Sequence, residues 1–116
     1  ELLKGLFSPS FSEESLQSVA EENLKFPRDH ASELLRDTAF GDWRDVIKRI
    51  ELPTLVVGGE GSMFSSVSQR WIASQIPGSE LEVFTEAEGG SHFMFLENSD
   101  LFNAKVLSFL RNERND

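Results

Sequence analysis

The chain has 116 residues, enough for one small domain. Its 39% hydrophobic and 27% charged residues are the composition of a globular protein and exclude a disordered one. A formal net charge of -9 without any cluster of Lys and Arg excludes a nucleic-acid surface and disfavours an anionic membrane, and the absence of Cys excludes disulfides and thiolate metal sites.

No window is apolar over the length that spans a bilayer. Glu1 to Gly5 lacks the basic leader, long apolar run and small-residue cleavage site of a signal peptide. The expectation is a cytoplasmic protein, with no membrane span, no nucleic-acid partner and no cofactor. Two histidines and no cysteine make a structural metal site unexpected. The first residue is Glu and not Met, so the chain is read as a piece of a longer protein.

Residues 1–41 read as helices. Ser10-x-x-Glu13 fits a capping box, and Leu16, Val19, Ala20 and Leu24 follow at helical spacing. Phe26-Pro27 ends this helix, because the residue before Pro is pushed out of the helical region. Asp29 is the expected N-cap of a second helix with Ala31, Leu34, Leu35 and Thr38 on one face, closed by Gly41. Asp42 then caps a short third helix that turns Trp43, Val46, Ile47 and Ile50 inward.

From there the pattern changes. Thr54 to Val57 is a β-rich apolar run between Pro53 and Gly58-Gly59, as suits a buried parallel strand. A helix over 66–76 follows, with Val67, Trp71, Ile72 and Ile76 at helical spacing, and Pro77-Gly78 stops it. Leu81 to Phe84 is the next strand, which makes a βαβ unit with an expected right-handed crossover. A last helix over about 100–111 buries Phe102, Val106, Phe109 and Leu110, and 112–116 is a polar, frayed tail. The predicted class is α/β: parallel strands in a βαβ unit, preceded by cap-like helices.

In an open α/β sheet, ligands bind beyond the carboxyl ends of the strands. Two loops lie there: Gly58-Gly59-Glu60-Gly61-Ser62, and Glu86 to Phe93 with Gly89-Gly90-Ser91-His92 at its centre. Imidazole titrates near neutral pH, so His92 at that edge can take and return a proton within one turnover. The paired glycines let the backbone turn and bring the histidine there. Taken alone, a loop histidine is more often a solvated or hydrogen-bonded surface group. His30, early in a polar helix, is read as surface.

Four segments resemble the α/β-hydrolase family, in order and with its spacing, over residues 42–111. Leu52 to Glu60 resembles its penultimate core strand, and Ile76 to Leu81 the approach to its last strand. Gly90-Ser91-His92-Phe93 with Leu96-Glu97-Asn98 resembles its histidine loop, and Leu101 to Leu110 its terminal helix. The resemblance implies a partial α/β-hydrolase fold, with residues 1–41 as cap or lid helices and 42–116 as the C-terminal part of the core. It implies a nucleophile-His-acid mechanism on an ester, thioester, lactone or related bond, with His92 as general base and Ser91 supporting its loop. A small apolar or acyl substrate would be the partner. Phe7, Phe11, Phe26 and Phe40 would line its pocket or pack within the cap.

The family's acid usually follows the penultimate strand in a Gly-x-x-Asp-like loop. Here Gly61 stands where Asp is expected, so Glu60, the loop's one carboxylate, is the candidate acid; the alternatives are a solvated Glu60 and an acid supplied from another strand end, as in some members of the family. Ser99 replaces a frequent Pro at the start of the last helix and can cap it. No Gly-x-Ser-x-Gly occurs in the chain. Because the family's order is nucleophile, acid, histidine, the nucleophile and oxyanion hole are expected before Glu1. The chain alone should then be inactive, and should self-associate or pair with the missing N-terminal part. The competing expectation, favoured by the lost Asp, is a non-catalytic relative that binds a small ligand or acts as a scaffold.

Overall fold

The computed structural model describes residues 3–112. A 3-10 turn, Lys4–Leu6, leads into α1 (Glu13–Leu24), α2 (Arg28–Phe40) and the single turn α3 (Arg44–Ile47). Then come β1 (Leu55–Gly59), α4 (Ser66–Gln75), β2 (Glu80–Phe84), a 3-10 turn (Glu86–Glu88), the single turn α5 (Met94–Glu97) and α6 (Ser99–Asn112). The polar tail lies outside the described residues from 113 onward.

The strands form a two-stranded parallel sheet, in register from Leu55 opposite Glu80 to Gly59 opposite Phe84. Parallel neighbours require a crossover, and α4 supplies it. Side chains alternate along a strand, so Val56 and Gly58 share one face, and Glu82 and Phe84 point to the other. Gln69 of α4 lies against Gly58. On the opposite face, Lys105 of α6 pairs with Glu82 at 2.5 Å, and the rings of Phe102 and Phe84 are 6.3 Å apart. Helices therefore cover both faces in a mixed α/β arrangement.

Helix boundaries differ from expectation where a nearby hydroxyl or amide does the capping. Ser12, and not Ser10, caps α1, its Oγ accepting from the Ser15 N–H at 3.1 Å, while the Ser10 hydroxyl is paired with Ser8. Helix α2 starts one residue after Pro27, whose carbonyl accepts from Ala31 N–H, so Asp29 sits in the first turn and is not the cap. Trp43 occupies the cap position of α3, and Asp42, one residue earlier, accepts from the Arg44 N–H at 3.1 Å and also grips the Arg44 guanidinium. Asn98 Oδ1 accepts from Leu101 N–H, so Asn98 caps α6 and Ser99 is its first residue.

Among the described residues the buried apolar side chains are Phe7, Val56, Ile76, Phe84 and Met94, a small core for a chain of this length. Trp43, Val46 and Leu110, expected to face inward, are exposed, as are Val67 and Trp71 of α4. Leu34, Leu35 and Phe40 leave the apolar side of α2 exposed as well. Their spacing is helical, but among the described residues nothing buries them. No described helix is long and apolar enough to cross a membrane.

Candidate functional site

Beyond the carboxyl ends of the strands, two loops meet. Strand β1 runs through Gly58 and Gly59, which sequence reasoning placed in the loop. Pairing continues past the strand end, with the Glu60 N–H donating to the Phe84 carbonyl at 2.9 Å and the Gly61 N–H to the Gly90 carbonyl at 2.8 Å. A Cβ on Gly59 would stand 2.2 Å from the Gly90 oxygen, and one on Gly90 would stand 2.2 Å from the Phe84 oxygen. These two positions need glycine for close backbone approach. Gly89 needs it for conformation, with φ at 74°.

That approach carries His92 to the end of β1. Its N–H donates to the Leu6 carbonyl at 3.1 Å, tying the histidine loop to the N-terminal segment. The ring lies between Phe64 and Phe93, with centroid distances of 5.1 and 4.9 Å, and is half-buried. His92 Nδ1 is 3.4 Å from Ser62 Oγ, at the long end of hydrogen bonding. Ser62 lies in the loop expected to hold the acid, but a hydroxyl does not carry the carboxylate chemistry looked for there. Glu60 is exposed, and no hydrogen bond joins it to His92 among the described residues. Ser91 is buried and its Oγ accepts from the Phe93 N–H at 3.1 Å, a bond that shapes the histidine loop. His30 is exposed on α2.

A cavity of about 210 Å³ opens beside His92, with Ser62, Phe64, Gly59, Met94 and Phe95 in its wall. A second, of about 390 Å³, lies between Gly61, Glu86 and Gly90 on one side and Phe7 to Ser10 on the other. Phe7 stacks on Phe11 with centroids 4.3 Å apart and packs against Phe93 at 5.0 Å, so these two rings hold the N-terminal segment to the histidine loop. Phe26 and Phe40 are exposed. The Ser8 N–H donates to Glu97 Oε1 at 2.7 Å, and the Ser8 hydroxyl donates to Glu97 Oε2.

The Thr85 N–H and hydroxyl both donate to Glu88 Oε2 at 2.9 Å and hold the Glu88 carboxyl below its ordinary pKa, the backbone bond contributing most. Asn98 Nδ2 donates to the Glu88 carbonyl at 2.9 Å, joining this turn to the start of α6. No group of three or more His, Asp or Glu side chains is gathered for a metal ion among the described residues.

No family model matches the chain, and no curated protein matches it. Among solved structures it is similar to Est816, described as an N-acyl homoserine lactone degrading enzyme, with 27% identity and a TM-score of 0.68. The match covers 93% of this chain and 44% of that one, so the chain spans less than half the length of the structure it resembles.

Proposed function

We propose that the chain is the C-terminal part of an α/β-hydrolase, with residues 1–41 as its cap and 42–116 as the end of its core. In the whole protein His92 would be the general base that activates a nucleophile supplied from upstream. The observation that carries this reading is the placement of His92 in a turn built by Gly89 and Gly90 at the carboxyl edge of a parallel sheet, beside a cavity. Likeness to a lactone-degrading enzyme supports a hydrolase and favours lactones among the candidate ester-like substrates. A base needs Nε2 free to accept the nucleophile's proton, and therefore a partner at Nδ1 that keeps the other proton in place. Glu60 is the acid nominated by sequence.

The whole protein should hydrolyse a short p-nitrophenyl ester or an acyl lactone and should react with a fluorophosphonate. In that protein His92→Ala should lower kcat/KM by roughly three orders of magnitude or more. Undiminished turnover in the variant would remove His92 from the mechanism. The Ser62 hydroxyl beside Nδ1, and Gly61 where the family has Asp, favour a second reading, a non-catalytic relative with a ligand pocket. Neither labelling nor turnover, with a folded protein, would establish it.

A further inference from the structure

We infer that Ser62, and not Glu60, is the positioning residue for His92, so that the histidine works against a neutral hydroxyl. The consequence for catalysis rests on the hydrolase reading above, but the pairing itself does not.

Both partners are held. The Ser62 N–H donates to the Gly59 carbonyl at 3.2 Å, and Ser62 Oγ accepts from the Phe64 N–H at 3.2 Å. These bonds place the hydroxyl oxygen before the histidine takes part. His92 is fixed in turn by its bond to Leu6 and by the flanking rings of Phe64 and Phe93. Phe64 serves both, packing on the imidazole while its amide holds the hydroxyl.

A serine hydroxyl has one proton to donate and two lone pairs. Phe64 occupies one lone pair, which leaves the proton and the other lone pair for Nδ1. Two arrangements follow. If Nδ1–H donates to Oγ, Nε2 keeps its lone pair and can act as a base. If the Ser62 O–H donates to Nδ1, the ring proton sits on Nε2 and the base is blocked. A carboxylate accepts only and enforces the first arrangement, whereas a hydroxyl permits both. Nor does a hydroxyl carry the charge that stabilises an imidazolium. His92 is therefore divided between a competent and a blocked tautomer, and Ser62→Asp should convert it to the competent one. The cavity beside Ser62 and His92 has room for the larger side chain.

The chain has two histidines, so His30→Gln leaves His92 as the one imidazole in a 15N spectrum. In that background, with the imidazole neutral, both ring nitrogens of His92 should give shifts between those of protonated and bare nitrogen. Ser62→Asp should move them to the Nδ1–H form. Ser62→Thr, which keeps the hydroxyl, should preserve the original spectrum, and Ser62→Ala should change the tautomer ratio. Identical spectra across the folded Ser, Asp and Ala forms would overturn the inference, as would a tautomer change in Glu60→Gln. Should Ser62→Asp not fold, Ser62→Ala set against Ser62→Thr decides the point. In the whole protein, Ser62→Asp should raise turnover on the order of tenfold or more. The predicted spectra without any turnover would leave the pairing standing and remove the hydrolase reading alone.

Discussion

Gly59 and Gly90 show how narrowly the site is built. Each packs its backbone where a Cβ would meet a carbonyl oxygen at 2.2 Å, and no side-chain rotation relieves a clash with backbone. Gly59→Ala should force the two loops apart and cost about 1–3 kcal/mol, read by urea denaturation. It should also lengthen the Ser62–His92 contact and weaken the tautomer signature. Gly61 offers a contrast: a Cβ there meets its nearest atom at 3.3 Å, so Gly61→Ala should be milder. Asp42 is a different kind of local feature. Bonding to the Arg44 side chain, with its backbone N–H second, lowers the Asp42 pKa from 3.8 to about 2. A depressed carboxyl contributes its stability above its unfolded value and loses it as pH falls through the folded one. The contribution should thus be intact above pH 3.8 and disappear as pH drops through about 2. Arg44→Ala should return the carboxyl 13C titration of Asp42 toward 3.8.

At the scale of elements, the unexpected connection is between the N-terminal segment and the single turn α5. The Glu97 carboxylate receives both the N–H and the hydroxyl of Ser8, and Phe7 is buried against the stacked ring of Phe11 and against Phe93. Hydrogen bonds to a charged acceptor are worth about 1.5–3 kcal/mol. Glu97→Ala should therefore destabilise the chain by about that amount. It should also speed amide exchange at Ser8, and at His92, whose N–H is held by Leu6 of the same segment. Unchanged exchange at both amides would show that the strap is held by the aromatic rings alone. The strap was hidden in the sequence because its contacts join residues 89 positions apart. The βαβ unit was legible because its signals are local: an apolar run between Pro53 and a glycine pair, then a helical period stopped by Pro77-Gly78.

For the whole molecule, the question is what covers the surfaces the chain leaves open. Each strand has a single neighbour, so one edge of β1 and one of β2 are unpaired within the described sheet. Val67 is 70% exposed, Phe40 84% and Trp43 58%. Unpaired edges and apolar patches of this kind favour association. By itself the 116-residue chain should self-associate, or pair with the remainder of the proposed parent, and should show no serine-type turnover. Sedimentation of the isolated chain tests the first part: a monomer that stays folded at high concentration would show that the small core suffices. An esterase assay on the same sample tests the second.

Sequence by itself determined the class of the fold, the two parallel strands with their crossover helix, and the position of His92 in the loop after the second strand. Each follows from interactions between near neighbours in the chain: hydrophobic period, glycine and proline punctuation, and strand-end placement. It did not determine which hydroxyl or amide would cap α1 and α6, because Ser10 against Ser12, and Ser99 against Asn98, differ by only a residue or two in spacing. Nor did it reveal the partner of His92. Glu60 has the better chemistry for that role, whereas the turn after β1 places Ser62 Oγ 3.4 Å from Nδ1, a proximity that only tertiary structure shows. The cause is the backbone approach of Gly59 to Gly90, which sets the loops in register and leaves Glu60 exposed on the outside of the turn.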